Sequence, residues 1–286
     1  MVRYSKLPFR QLLQDYNLDL VYTPMILSDV FSSSSLARDS DFTTTSNESP
    51  LAVQLAAKNS KEAGDASEFL ANYCDVIDIN CGCPQKWAIN EGIGGYLMSQ
   101  PEIVREIVRE VKNRSGMQCS IKIRVHKELS KTIEMVKRAE SVGVAWITVH
   151  GRTVKQSSSE EVNYEAIKMV KEHATVPVFG NGNIFSLADA DKMVENTKVD
   201  GVMSARGILN NPALFTNAPY TPMECVEKYV HKALEQGTNT FIFHHHLMYM
   251  LESTMSKAEK KSFNVLSSIP AILDHLEEHY GLECME

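Results

Sequence analysis

The chain has 286 residues, 43% apolar and 23% charged, with a formal net charge of −7. That composition excludes a mainly disordered chain, and no run approaches the ~18 apolar residues of a membrane span. Six cysteines in this length exclude a disulfide scaffold. The acidic balance offers no general attraction for nucleic acid, so RNA binding would need a local basic surface.

In chain order, Met1–Arg10 carries Arg3, Lys6, Pro8 and Arg10 with no apolar h-region, and does not read as a secretory signal. The thiols are therefore expected to be reduced, in a cytosolic or nuclear protein. Residues 1–215 alternate β-branched runs with amphipathic helical runs. The candidate strands are Leu18–Thr23, Leu51–Leu55, Val76–Asn80, Cys119–Arg124, Ala145–His150, Val176–Gly180 and Asp200–Met203. Several are nearly continuous apolar runs, as parallel strands covered on both faces require. Between them, Ser99 with Glu102 reads as a capping box and Pro101 as a first-turn proline. Ile133, Val136, Ala139 and Val142 form a helical stripe that Gly143 stops. Ser186, with Asp189 three residues on, opens a further helix.

This alternation predicts a parallel α/β fold. A closed (β/α)8 barrel needs eight strands and only seven are visible, so an open doubly wound sheet competes on pattern alone. After Phe215 the pattern changes. Asn217, Pro219 and Pro222 read as a linker, and residues 216–286 as a helical domain.

Polar groups recur where strands end, which is where parallel barrels gather function. They are Gln54, Asp78 with Asn80, Lys122 with Arg124, His150-Gly151-Arg152, Asn181-Gly182-Asn183 and Ala205-Arg206-Gly207. The last two segments read as a phosphate site, because glycine lets amides approach an anion and arginine adds a charged fork. Lys122 needs a negative partner: a phosphate, an anionic reduced flavin, or Asp78 in a salt bridge. Cys83 follows a strand end and precedes Pro84, an address that suits a nucleophile, a general acid or a metal ligand. No second cysteine pair lies nearby, so no metal is expected there. Cys74, Cys119, Cys225 and Cys284 read as inert. His244, His245 and His246 are adjacent, so on a helix they point in different directions.

Five segments together resemble the tRNA-dihydrouridine synthases. They are Asp78-Ile79-Asn80-Cys81-Gly82-Cys83-Pro84, Ile121-Lys122-Ile123-Arg124, Thr148-Val149-His150-Gly151-Arg152, Phe179-Gly180-Asn181-Gly182-Asn183-Ile184 and Asp200-Gly201-Val202-Met203-Ser204-Ala205-Arg206-Gly207. Gln85-Lys86-Trp87 and the run from His246 to Met250 look like the animal branch assigned to uridines 20a and 20b of the D-loop. The resemblance implies a TIM-type (β/α)8 barrel with a C-terminal helical domain that grips tRNA. It implies FMN, with NADPH or NADH as hydride donor, and reduction of the uracil C5=C6 bond. By match, Cys83 would be the general acid. Gln54, Lys122 and His150 would contact FMN, and Asn181, Gly182, Asn183, Ala205 and Arg206 would hold its phosphate end. Asn80 would reach the uracil or flavin edge, and Arg152, Lys155 and Lys86 the RNA phosphates. Lys232, Lys257, Lys260 and Lys261 read as a solvated charged face or a further RNA contact. No membrane partner is expected, and the chain is expected to be monomeric.

The sequence departs from the family pattern at its start. Met1-Val2-Arg3-Tyr4 looks like the stretch that begins at the end of the family's first strand, so that strand is expected to be missing and two sheet edges unpaired. Thr23-Pro24-Met25 mimics the lost segment but sits on the next strand. Asn183 stands where the family has Asp, and Ala205 where Gly is common. Two other readings remain at this level: a non-catalytic flavin-site relic that binds RNA, or an FMN enzyme of a free pyrimidine.

Overall fold

Eight short strands form one all-parallel sheet: β1 Val21–Tyr22, β2 Ile26–Leu27, β3 Leu51–Ala56, β4 Val76–Asn80, β5 Gln118–Arg124, β6 Ile147–His150, β7 Val178–Asn181 and β8 Gly201–Met203. The structure, a computed structural model, describes residues 3–16 and 18–282. Met1, Val2 and Cys284 of the sequence reading lie outside the described residues.

The order β1-β3-β4-β5-β6-β7-β8 follows the chain, and β2 also pairs with β3. One predicted strand, Leu18–Thr23, is thus replaced by two short ones on the same neighbour. Pro24, which has no N–H to give a ladder, interrupts them. Thr23 repairs the break, since its hydroxyl accepts the Gln54 amide at 3.0 Å. Among the described residues β1 and β8 do not pair, so the wall is an open barrel with two edges. Burial reflects this. Every residue of β3 and β4 is buried, whereas all three of β8 are only half-buried.

The barrel helices are α1 Leu7–Gln14, α2 Ser28–Ser33, α3 Ser35–Asp41, α4 Ser60–Leu70, α5 Lys86–Asn90, α6 Pro101–Ser115, α7 Leu129–Glu140, α8 Tyr164–His173, α9 Leu187–Thr197 and α10 Arg206–Asn210. In α6, Val104, Ile107, Val108 and Val111 are buried at helical spacing. Gly116 ends it at φ +70, a conformation glycine takes without a Cβ penalty. The expected Ser99 cap does not form. A 3-10 turn runs through Gly94–Ser99, the Ser99 hydroxyl donates to the Tyr96 carbonyl, and Gln100 precedes the helix instead. Ser186 does cap α9, accepting the Asp189 amide.

The C-terminal helices are α11 Met223–Glu235, α12 Thr240–Met250, α13 Lys257–Phe263 and α14 Ile269–Tyr280. One continuous apolar core joins them to the barrel, with Phe9 and Leu13 of α1 in the same cluster as Val226, Tyr229 and Phe243. Phe9 stacks on His246 of α12 with ring centroids 4.4 Å apart. Among the described residues no helix is long and apolar enough to cross a membrane.

Candidate active site

Strand alternation sets the site. Side chains two apart share a face, and the register aligns Gln54 with Asp78, Asp78 with Ser120, Asn80 with Lys122, Arg124 with His150 and His150 with Asn181. These inward positions stack in layers toward the C-terminal strand ends.

The deepest layer centres on Asp78, which has no exposed surface. Its carboxyl accepts from Gln54 Nε2 at 2.8 Å and from Ser120 Oγ at 2.7 Å. Burial raises its pKa, against the pull of those two hydrogen bonds and of the Lys122 charge. Gln54 turns its other end outward and accepts from Asn80 Nδ2 at 2.9 Å. Asn80 Oδ1 in turn accepts the amides of Gly82 at 3.1 Å and Cys83 at 2.9 Å. A hydrogen-bond chain therefore runs from the barrel floor to the turn that carries Cys83. The structure uses Asn80 first as the anchor of that turn.

Cys83 is half-buried, and it is clasped from outside by a glycine pair. Gly95 donates its amide to the Cys83 carbonyl at 2.8 Å. A Cβ at Gly94, whose φ is +60, would lie 2.8 Å from Cys83 Cβ. Only a residue without a side chain permits this contact.

Lys122 donates to Asn181 Oδ1 at 3.1 Å, and Asn181 Nδ2 donates to the Met203 carbonyl at 2.7 Å. The salt bridge to Asp78 allowed by the sequence is not made, because both Asp78 oxygens already accept from Gln54 and Ser120. Burial first, then the Arg124 charge, lowers the Lys122 pKa to about 8. Arg124 donates to the carbonyls of Gly82 and Thr153, each at 2.8 Å.

His150 is kept neutral. Burial pushes its pKa down to about 2, reinforced by Lys122, Arg124, Arg152 and Arg206. Its Nε2 faces Arg152 Nη1 at 3.3 Å and must accept, which assigns the ring proton to Nδ1. Arg152, expected at the RNA surface, is instead 1% exposed. It lies in the bend past the end of β6, donates Nε–H to the Glu160 carbonyl, and its Nη2 is buried without a partner. Lys86 and Lys155 are exposed.

The last two strand ends complete the rim. Gly182 has φ +135 and Asn183 φ +54, so the chain doubles back tightly over His150. Arg206 is exposed, lies over the Phe185 ring at 5.2 Å and donates to Asn183 Oδ1 at 3.3 Å. Ala205 immediately precedes α10, and Ser204 ties the two loops by donating to the Ile184 carbonyl at 2.8 Å. Four cations thus converge on one neutral imidazole. Among the described residues none of the four forms a salt bridge. Such a cluster is made for an anion.

The dihydrouridine synthase (Dus) family model matches residues 1–278. The chain belongs to that family. It is 49% identical to the mouse "tRNA-dihydrouridine(20a/20b) synthase [NAD(P)+]-like" over all of this chain and 89% of that protein. It is 42% identical to the Schizosaccharomyces pombe "tRNA-dihydrouridine(20a/20b) synthase [NAD(P)+]" over 98% of this chain and 86% of that one. Among solved structures, an old yellow enzyme homologue from Zymomonas mobilis superposes with TM-score 0.53 at 10% identity. It covers 77% of this chain and 86% of its own, a likeness of fold alone.

Within that family frame, the structure brings Gln54, Lys122, His150, Asn181, Gly182, Asn183, Ala205 and Arg206 to one end of the sheet, with Cys83 on the adjoining loop. Sequence reasoning missed Ser120, the Gly94–Gly95 clasp and the inward turn of Arg152. The histidine run holds no shared site: His244 reaches the Phe263 carbonyl, His245 the Phe241 carbonyl, and His246 is in the core.

Proposed function

We propose that this chain reduces the C5=C6 bond of uridine in the tRNA D-loop, at positions 20a and 20b, with FMN and a nicotinamide cofactor. The observation that carries the reading is the unpaired cationic cluster of Lys122, Arg124, Arg152 and Arg206 beside the turn that bears Cys83. The donor set fits FMN. Arg206, Asn183 and the backbone at Gly182 and Ala205 would hold the phosphate, while Gln54, Lys122 and His150 would line the ring. Held there, FMN would supply hydride chemistry, with NADPH or NADH as the source of the electrons.

The protein's own groups do the rest. Lys122 places positive charge where a reduced, anionic ring needs it. Its lowered pKa rises again when an anion arrives, so the bound state keeps the charge. His150, neutral and with Nε2 already accepting from Arg152, has its Nδ1–H left to donate. Cys83 donates the proton to C5. A thiol held at the strand-end turn can serve as that general acid. The Asp78–Gln54–Asn80 chain fixes that thiol's backbone. Lys86 and Lys155 are exposed near the same turn and would meet RNA phosphates, with α11 to α14 forming a second, helical wall. The reading places the protein where tRNA matures, in the cytosol or nucleus, acting as a monomer.

The test is an assay of the purified protein with FMN, NADPH and unmodified tRNA. Dihydrouridine should form from tRNA and not from free uracil. Cys83→Ala should still bind FMN and accept electrons from NADPH, while product formation drops ~10²–10⁴-fold, the usual worth of a positioned acid. Wild-type rates in that variant would end the general-acid assignment.

A further inference from the structure

The helical tail meets the barrel rim at a cleft of about 490 Å³ lined by Arg3, Lys6, Met25, Leu27, Trp87 and Phe241, among others. Met25 and Leu27 line it, and they also pack with Cys83 against the small cluster of Ala56, Ala88 and Ile93. Trp87 stands on α5, which follows Cys83 through Pro84 and Gln85.

Two large aromatic side chains reach this cleft from different elements and remain open to solvent. Trp87 is 42% exposed and Phe241, in the first turn of α12, is 47% exposed. Scattered exposed apolar groups need no explanation, but two lining one cleft do. Phe241 is also braced. His245 lies against its ring at 4.0 Å and donates Nδ1–H to the Phe241 carbonyl at 2.8 Å. Lys6 is fixed in the wall, donating to the carbonyls of Ser40 at 2.9 Å and Asp41 at 3.1 Å, with the Asp41 carboxylate 4.0 Å away. Arg3 is exposed at the rim.

Aromatic faces beside cations are the chemistry that binds single-stranded nucleotides, with stacking tolerant of base identity. A uridine must leave its stack to reach a thiol in a pocket, and its neighbour then loses a stacking partner. We propose that this cleft is a nucleotide subsite that receives the base next to the reacting uridine on Trp87 and Phe241, with Arg3 facing its phosphate. The inference rests on the tRNA reading above and extends it to the flanking residue. The names of the relatives pair positions 20a and 20b, so the neighbour of one target is the other target.

A double-mutant cycle tests it on the FMN-loaded full chain. Wild type, Trp87→Ala and Phe241→Ala are each given intact tRNA or tRNA made abasic beside the target uridine, on either side in turn. Trp87→Ala should raise KM for intact tRNA about tenfold. The abasic change on one side should do the same to the wild type, and the two together should add little. Trp87→Phe should recover most of the loss. Effects that multiply, an unchanged KM, or a fall confined to kcat would overturn the subsite. The last result would make Trp87 a support of the Cys83 turn. The same cycle read as tRNA Kd separates the two claims. If wild type binds tRNA with this coupling but makes no dihydrouridine, the reaction assignment fails and the subsite stands.

Discussion

His150 at the end of β6 and His246 in the middle of α12 are both held neutral, with pKa values pushed down to about 2 and about 3. Burial is the first cause at both. Their surroundings differ entirely. His150 sits among four cations, and Arg152 fixes its tautomer. His246 is packed by the rings of Tyr4, Phe9 and Tyr229, and neither ring nitrogen has a partner. A depressed imidazole pKa therefore marks burial alone at one place and burial among cations at the other. What distinguishes them is convergent charge without a counter-ion, set at strand ends.

The comparison breaks most sharply at Cys83. If the cationic rim is a reaction site, removing that thiol costs the ~10²–10⁴-fold already stated; no change in the tail should approach it. Next comes Lys122→Ala. Losing a charge-assisted contact should weaken FMN binding about 10–100-fold, read by quenching of flavin fluorescence. The pH dependence sharpens this. With an apo-protein pKa of about 8, Lys122 is charged below that pH and loses its proton above it. FMN affinity should hold below pH 8 and fall as pH rises through it. The slope should vanish in Lys122→Ala; a slope that survives would assign the titration elsewhere.

His246 should instead govern stability. Its folded-state pKa lies below the ordinary imidazole value, so the unfolded chain binds the proton more readily. The contribution is complete above about pH 6.5 and is lost as pH falls toward the folded value. By pH 5 the loss amounts to about 2 kcal/mol. His246→Phe keeps a ring in the aromatic cluster and removes that loss. Its urea midpoint should fall less between pH 7 and pH 5 than that of the wild type, and parallel declines would contradict a buried neutral ring. The last variant is Gly94→Ala. A Cβ at φ +60 should cost about 1–2 kcal/mol, its overlap with Cys83 Cβ should add about 1–3 kcal/mol, and kcat for dihydrouridine formation should fall more than FMN affinity changes.

Much of the site was legible because alternation in a strand is local. Asp78 with Asn80, Lys122 with Arg124, and Cys83 one turn beyond follow from the strand ends alone. The parallel strands β3 to β8 fall within two residues of the expected ranges, for the same reason. Errors gathered where a distant partner decides the outcome. The β1–β2 break depends on how Pro24 and Thr23 meet β3. Ser99 lost its cap to a 3-10 turn held against the Cys83 loop.

The sequence by itself determined which residues face inward, the strand order along the chain and the family, since periodicity and motif spacing are properties of neighbouring residues. Tertiary structure alone decided that Lys122 bonds Asn181, 59 residues away, rather than Asp78, and that Arg152 is buried. It also decided that His246 stacks on Phe9 and that the first expected strand becomes the separate pair β1 and β2 on β3. These outcomes depend on which groups compete for the same donor or the same volume, and that competition exists only once distant segments are packed together.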